Sequence, residues 1–229
     1  MVFTVGEEGL GGLRGARHAC ATLETDGAVA LEGHGLDEVC VDAVGCVRVR
    51  LTVTGPGGHS WRNRGRPSAT RGLVELLAQL EDVNVGLLLG GEAVNAIARS
   101  AEAVVELRSL DEARLEQAHA RFQALTGPDG LDLAVETLDR RPAGRLDRSH
   151  PLLAAVREAR AELGLPDELG EGSTDANAAI AAGIPALSIG CARGGDMHTP
   201  GEWVDRDSIP LGVAQLEGVL RRLLTKGAA

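Results

Sequence analysis

The sequence predicts an α/β protein in which a parallel-sheet domain contains an inserted α+β domain. Residues 2–5 and 28–31 are apolar throughout and flank a helical repeat, a pattern typical of a parallel sheet covered by helices. Residues 46–54 instead alternate apolar and polar side chains, as expected for a strand with one face in water. The change in pattern near residue 46 indicates a second domain with a half-exposed sheet.

The first and last parts of the chain have the parallel-sheet pattern. A Gly-Glu-Glu-Gly turn follows the strand at 2–5 and leads into a helix over roughly 10–23, and the strand at 28–31 ends at Glu32. The same pattern resumes late in the sequence with a further set of elements. We predict a helix from Pro151 to Leu163, a helix from Asp175 to Ala182, a strand from Ala186 to Ile189 and a closing helix from about Asp207.

The middle of the chain predicts the order βαββαβ. The elements are a strand at 46–54, a helix opened by Pro67, strands at 83–89 and 101–107, a helix from Asp111 to Leu125 and a strand at 131–135. This order is typical of one four-stranded antiparallel sheet backed by two helices, as in ferredoxin-like domains. The predicted domains are therefore 46–142 as the insertion, and 1–45 with 143–229 as the outer domain.

Composition excludes several classes of partner. The 33 acidic residues exceed the 23 basic residues, for a net charge of −10, which argues against binding to a nucleic-acid backbone. No apolar run approaches the ~20 residues that a membrane span requires, so we expect no membrane partner and a cytoplasmic protein, although a targeting segment upstream would change that expectation. The four cysteines lack metal-binding spacing and are expected to be reduced core residues.

Acidic residues and one histidine follow predicted strands. Glu7 and Glu8 are adjacent after the first strand, where one carboxylate can bind a metal while the other handles a proton; the alternative is a solvated first helical turn. Glu32 and His198 each follow another strand, and together these residues are donors that suit zinc. Taken singly, a strand-ending glutamate is usually solvated and a loop histidine usually has no role.

His59 lies in a glycine-rich turn of the inserted domain. The turn exposes its imidazole, which can donate a hydrogen bond to an oxyanion during hydrolysis. The alternatives are a simple turn histidine or half of a pair with Ser60, and no acid is placed to complete a triad.

Five strings in this order resemble the di-zinc peptidases and amidohydrolases that include acetylornithine deacetylase, succinyl-diaminopimelate desuccinylase, carboxypeptidase G and tripeptidase T. The strings are TVGEEGLG (4–11), GPGGHS (55–60), GEAVNAI (91–97), GSTDAN (172–177) and GGDMHT (194–199). The resemblance implies zinc-dependent hydrolysis of an amide bond in small peptides or N-acyl amino acids, with two zinc ions that cobalt or manganese can replace. It also implies that residues 46–142 are a lid and dimerisation domain, so we expect a homodimer.

The resemblance implies a role for each matching residue. Glu7 would be the general base, Glu8 a ligand of one zinc shared with His198, and Glu32 a ligand of the other zinc. His59, from the partner subunit, would stabilise the oxyanion. The substrate would be held by Asn95 and Arg141.

The family pattern begins with a His-x-Asp motif and a metal-bridging Asp that this sequence does not contain. The chain is therefore expected to be the C-terminal portion of such an enzyme, with an incomplete metal site and doubtful activity on its own. The alternatives are a catalytically inactive dimeric remnant or a module that binds small peptides without metal.

Overall fold

The structure is a computed structural model and describes residues 1–226. Its α-helices within that range are α1 (Arg14–Thr22), α2 (Ala69–Leu77), α3 (Glu112–Gln123), α4 (Pro151–Glu162), α5 (Ala176–Ala181) and α6 (Ile209–Lys226). A turn of 3-10 helix, Arg206–Ser208, precedes α6. None of the helices in residues 1–226 has the length and apolar character that crossing a bilayer demands.

The strands of the described chain range from two to ten residues. They are β1 (Ala28–Glu32), β2 (Glu38–Ala43), β3 (Gly45–Thr54), β4 (Gly58–His59), β5 (Asn84–Gly90), β6 (Ala96–Ile97), β7 (Ser100–Ser109), β8 (Asp132–Arg141), β9 (Gly144–Arg145), β10 (Glu168–Gly172), β11 (Ala186–Gly190), β12 (Arg193–Gly195) and β13 (Trp203–Asp205).

The chain forms two compact units. The outer unit consists of Met1–Val44 together with the described residues from Arg141 onward, and the inserted unit is Gly45–Arg140.

A five-stranded mixed sheet organises the outer unit, with β1, β11, β2 and β10 in that order and β9 beside β2. Strand β1 is parallel to β11, so that Ala28 lies opposite Ala186 and Glu32 opposite Gly190. Helices α4 and α6 pack together, and their apolar residues join those of the sheet. The main core cluster is Val39, Val41, Leu146, Leu152, Leu153, Val156, Ala159, Leu187, Ile189 and Val219.

The α/β class with parallel pairing in the outer sheet is confirmed, and the sheet also contains antiparallel pairs. Strand β2 runs antiparallel to β11 and parallel to β10. Neither β2 nor β10 was expected, because both contain glutamates and β10 has two glycines in five residues, which lowers the local preference for a strand. Pairing within the sheet decides their conformation.

The expected strand at residues 2–5 is also wrong. Within the described chain, these residues pair with no strand, and the side chains of Val2, Phe3 and Val5 are exposed. The carbonyl oxygen of Val5 accepts a hydrogen bond from the backbone of Gly15 at 2.9 Å. An apolar run forms a strand only where another strand offers hydrogen-bonding groups, and this segment instead binds the start of α1.

The inserted unit has the expected βαββαβ order. Its four-stranded sheet has the order β5, β7, β3, β8, and β7 is antiparallel to both β3 and β5. Helices α2 and α3 pack against β3 and β7. The alternating pattern of β3 is confirmed, since Val47, Val49, Leu51 and Val53 are buried while the intervening side chains are partly exposed.

All four cysteines are free thiols, in agreement with their spacing, but only Cys46 is fully buried. The expectation of core cysteines therefore holds for Cys46 alone.

Candidate functional site

Arg141 holds Glu7 in the outer unit. Glu7 lies in the loop before α1, and Arg141 is the last residue of β8, with 4% of its surface exposed. The Nη1 group of Arg141 donates to Oε1 of Glu7 at 2.9 Å, and its Nη2 group donates to the carbonyl oxygen of Glu7. Nη1 also donates to Oγ of Ser173 at 3.3 Å. A buried, forked guanidinium thus sets the orientation of the Glu7 carboxylate.

Glu32 is the carboxylate with the strongest electrostatic perturbation. It ends β1 opposite Gly190 and is half-buried. Burial, reinforced by the negative charges of Glu7, Asp175 and Glu8, raises the pKa of Glu32 to about 7, while Arg141 acts in the opposite direction. The carboxylates of Glu7, Glu8, Glu32 and Asp175 therefore share one electrostatic neighbourhood, and we call these four residues the acidic cluster.

Asp175 had no predicted role, although its string GSTDAN was among the matching motifs. It precedes α5, and its Oδ2 accepts a hydrogen bond from Oγ1 of Thr4 at 2.5 Å. Its Oδ1 is buried and has no hydrogen-bond partner within the described residues. The sequence signal that could have found it is its place in the matching string GSTDAN, at the start of the predicted helix from Asp175 to Ala182.

His198 lies in the loop that joins β12 to β13, where its backbone has a φ of 64°. Its backbone N–H donates to Oε2 of Glu202 at 3.2 Å, and the residue is exposed.

The predicted metal ligands are Glu8, Glu32 and His198. Across residues 1–226, no three His, Cys, Asp or Glu side chains are close enough together to hold a metal ion. The described residues by themselves therefore do not fit a metal ion, even though their carboxylate and imidazole donors are chemically suitable. Their role as metal ligands stays a prediction.

Two further predicted site residues, His59 and Asn95, are brought together in the inserted unit. Strand β4 pairs with β6, so that His59 lies opposite Ala96. The backbone N–H of Ser60 donates to the carbonyl oxygen of Asn95 at 3.0 Å. The pairing of two short strands thus places residues that are far apart in sequence on one exposed edge.

The imidazole of His59 is oriented by its own loop. Its Nδ1 accepts a hydrogen bond from the backbone N–H of Trp61 at 3.1 Å. The side chain of Asn63 accepts from the backbone N–H of His59 at 2.9 Å, and the backbone N–H of Asn63 donates to the carbonyl oxygen of His59 at 2.9 Å. Because Nδ1 is an acceptor, the proton of the neutral ring lies on Nε2, which is the nitrogen available to a ligand.

Gly58 is required for this loop. Its φ is +144°, and a Cβ at this position would lie 2.8 Å from Oδ1 of Asn63. A side chain here would displace Asn63 from His59, which is the physical reason for one glycine in the GPGGHS string.

The fold and these residues define a two-unit α/β protein with an acidic cluster in the outer unit and an exposed histidine in the inserted unit. The sequence profile of Peptidase family M20/M25/M40 matches residues 1–222, and the chain belongs to this family. The resemblance inferred from the five strings is therefore confirmed. A comparison with curated proteins finds no match.

Solved structures of family members and related hydrolases share the fold. An aminopeptidase PepT from Bacillus cereus ATCC 10987 has a TM-score of 0.74 and 20% identity, covering 96% of this chain and 63% of its own. A tripeptidase from Staphylococcus aureus subsp. aureus Mu50 has a TM-score of 0.76 and 22% identity, with coverages of 94% and 61%. The YXEP protein of Bacillus subtilis, described as a dinuclear metal-binding peptidase, has a TM-score of 0.64 and 18% identity, with coverages of 97% and 64%.

The TM-scores establish a shared fold. Because each identity is at most 22%, these likenesses establish the fold alone. The chain spans 61% to 64% of the length of these three solved chains.

Proposed function

We propose that the protein hydrolyses an amide or peptide bond in small peptides or N-acyl amino acids. Family membership supports this class of reaction. The observation that carries the proposal is the forked contact of Arg141 with Glu7, which holds one carboxylate of the acidic cluster in a fixed orientation. A fixed and partly exposed carboxylate is what a general base needs.

In the proposed reaction, Glu7 accepts a proton as a water oxygen forms a bond to the carbonyl carbon. The carbon–nitrogen bond then breaks, and the proton passes from Glu7 to the leaving amine, so that the products are a carboxylic acid and an amine. In the proposed homodimer, the Nε2–H of the partner subunit's His59 donates to the carbonyl oxygen as negative charge develops there.

Asn95 and Arg141 are the proposed substrate contacts. Asn95 is next to the His59 loop, and a substrate carboxylate at Arg141 would share the guanidinium with Glu7 and Ser173.

The proposed cofactor is zinc, with Glu8, Glu32 and His198 as ligands and cobalt or manganese as alternatives. Two observations support the proposal that a divalent cation binds here: the carboxylates of the acidic cluster, which are suitable ligands, and the membership of the chain in a peptidase family. Since the described residues alone do not gather three donors, no step of the reaction above depends on the metal.

We also propose that the inserted unit mediates a homodimer and acts as the lid. Strand β5 is at the edge of its sheet, and its sequence NVGLLLG contains no charge. The side chains of Leu87, Leu88 and Leu89 are between 53% and 63% exposed. An apolar edge strand without charges is prone to pair with another strand, and a second copy of β5 is the proposed partner.

The test is a hydrolysis assay on the purified protein. After treatment with chelator and reconstitution with zinc, cobalt or manganese, the protein is incubated with di- and tripeptides and N-acyl amino acids, and free amine is quantified together with metal per chain. Turnover that is lost in Glu7→Gln supports the proposal. A clean dimer by light scattering, with neither metal nor turnover, would instead support a catalytically inactive member of the family.

A further inference from the structure

Two arginines beside His59 lack the anionic partners that other arginines of the inserted unit have. Arg48 and Arg50 pair with glutamates at 2.5 Å across the sheet, and Arg140 pairs with Glu112 at 2.5 Å. Arg62 and Arg64, by contrast, are exposed and form no ion pair or hydrogen bond with any residue in 1–226. Two guanidinium groups without an anionic partner in residues 1–226 therefore lie on one short loop of a chain whose net charge is −10.

An exposed tryptophan lies in the same loop. Trp61 is 67% exposed, and the guanidinium carbon of Arg64 lies 4.0 Å from the centroid of its ring. This contact holds the long arginine side chain over the indole. A guanidinium that stacks through its face on an aromatic ring keeps its N–H edge available for an anion. An amphipathic platform with a fixed positive charge results.

The platform is directly connected to His59. The backbone of Trp61 binds Nδ1 of His59, and Asn63, which separates Arg62 from Arg64, binds the backbone of His59. No acidic residue occurs between residues 57 and 67 of the sequence. Glu92, in the same unit, is engaged by Arg99: the backbone N–H of Arg99 donates to Oε1 of Glu92 at 3.2 Å.

We propose that Trp61, Arg62 and Arg64 form a subsite that binds a side-chain carboxylate of the substrate, so that acidic peptides or N-acyl amino acids are preferred over those with neutral side chains. The N–H edge of a guanidinium matches the two oxygens of a carboxylate, and the indole contacts the methylene groups next to it. This inference rests on the proposed function, because it assigns a substrate class to the same site.

The first test measures binding and does not require catalysis. In the Trp203→Phe background Trp61 is the only tryptophan, so its fluorescence reports on the subsite during titration with Gly-Glu and with its neutral counterpart Gly-Gln. We expect Gly-Glu to bind at least 10-fold more tightly than Gly-Gln. This preference should fall below 3-fold in R62Q/R64Q, and it should weaken when salt is added. R206Q is the matched control, since Arg206 is exposed and its side chain forms no ion pair or hydrogen bond with other residues in 1–226.

Equal affinity for the two dipeptides, or an equal loss of preference in R206Q, would overturn the inference. Binding of inorganic phosphate as tight as that of Gly-Glu would also overturn it, because the loop would then be a general anion site. Circular dichroism checks that R62Q/R64Q is folded.

The second test measures hydrolysis of Gly-Glu and Gly-Gln by the same variants. A preference in binding without turnover supports the subsite and counts against the proposed function. Turnover of both dipeptides at equal kcat/KM in wild type and R62Q/R64Q supports the proposed function and counts against the subsite.

Discussion

Arg141 donates two hydrogen bonds to Glu7: Nη1 donates to the carboxylate oxygen Oε1 at 2.9 Å, and Nη2 donates to the backbone carbonyl oxygen. The two residues are 134 positions apart in the sequence. Because Arg141 is only 4% exposed, the contact links the loop before α1 to the end of β8 in a partly desolvated environment. The same contact therefore serves stability and the orientation of a proposed general base.

Replacing Arg141 with methionine is expected to destabilise the fold. The change keeps an unbranched apolar stem but leaves the carboxylate of Glu7, whose side chain is 26% exposed, without its cation. We expect the free energy of unfolding to fall by about 2–3 kcal/mol, measured by urea denaturation. Arg145→Met is the control, because the side chain of Arg145 is 70% exposed and its ion pair with Asp42 spans 4.0 Å. Equal losses in the two variants would contradict the buried role of Arg141.

Glu7→Gln separates catalysis from stability. The amide oxygen of glutamine still accepts a hydrogen bond from Arg141, but it cannot accept a proton from water. We expect kcat for amide hydrolysis to fall by about 10²- to 10⁴-fold, with a smaller loss of stability than in Arg141→Met. Glu24→Gln, an exposed site in the same unit, is the control and should retain full activity. Unchanged turnover in Glu7→Gln would remove Glu7 from the mechanism.

Glu32 is expected to make the stability of the protein depend on pH. Folding raises the pKa of Glu32 from the ordinary 4.5 to about 7, so between these values the folded protein holds a proton that the unfolded chain has lost. Stability therefore falls as pH rises from about 4.5 to 7, and the full penalty is present above pH 7. With chelator present, Glu32→Gln should exceed wild type in unfolding free energy by about 2 kcal/mol at pH 8 and match it near pH 4.

Thermal or urea denaturation across this pH range gives the comparison. Glu24→Gln again serves as the control and should leave the pH profile of wild type unchanged. A difference between Glu32→Gln and wild type that is the same at pH 4 and pH 8 would show that the carboxylate of Glu32 does not titrate in this range.

Leu88→Lys tests the proposed dimer. A lysine on the exposed edge of β5 places a charge where two copies would pair, and charged residues on edge strands oppose such pairing. We expect light scattering to give the mass of a dimer for wild type and of a monomer for the variant. Leu224→Lys is the control, since Leu224 is 74% exposed on α6 and should not affect the dimer. A monomeric wild type would reject the proposal outright.

The elements of the inserted unit could be predicted because their signals are local. The alternation along β3 follows from the geometry of a single strand, and its apolar side chains are buried where expected. Strands β2 and β10 lack such a signal, since β2 mixes acids with apolar residues and β10 is rich in glycine. Residues 2–5 have the opposite property: their apolar run predicts a strand, but they pair with no strand in residues 1–226.

The candidate site likewise contains residues that the sequence indicates and contacts that it does not. Glu32 and His59 could be selected as candidates because an acid at a strand end and a histidine in a glycine turn are visible in the sequence. Glu7 was selected because it follows an expected strand that does not form. The partnership of Arg141 with Glu7, the membership of Asp175 in the acidic cluster and the stacking of Arg64 on Trp61 could not be predicted. Each depends on side-chain directions that a spacing of residues does not specify.

The sequence by itself determined the α/β class, the order of elements in the inserted unit and the family, because periodicity and motif strings are properties of short segments. Only the tertiary structure decided which strands pair and in which direction, and which charges meet. The pKa of Glu32 is the clearest case, since it arises from burial together with charges on Glu7, Glu8 and Asp175. Electrostatic energy depends on distance in space and on the surrounding dielectric, and neither quantity is encoded in the spacing of residues along the chain.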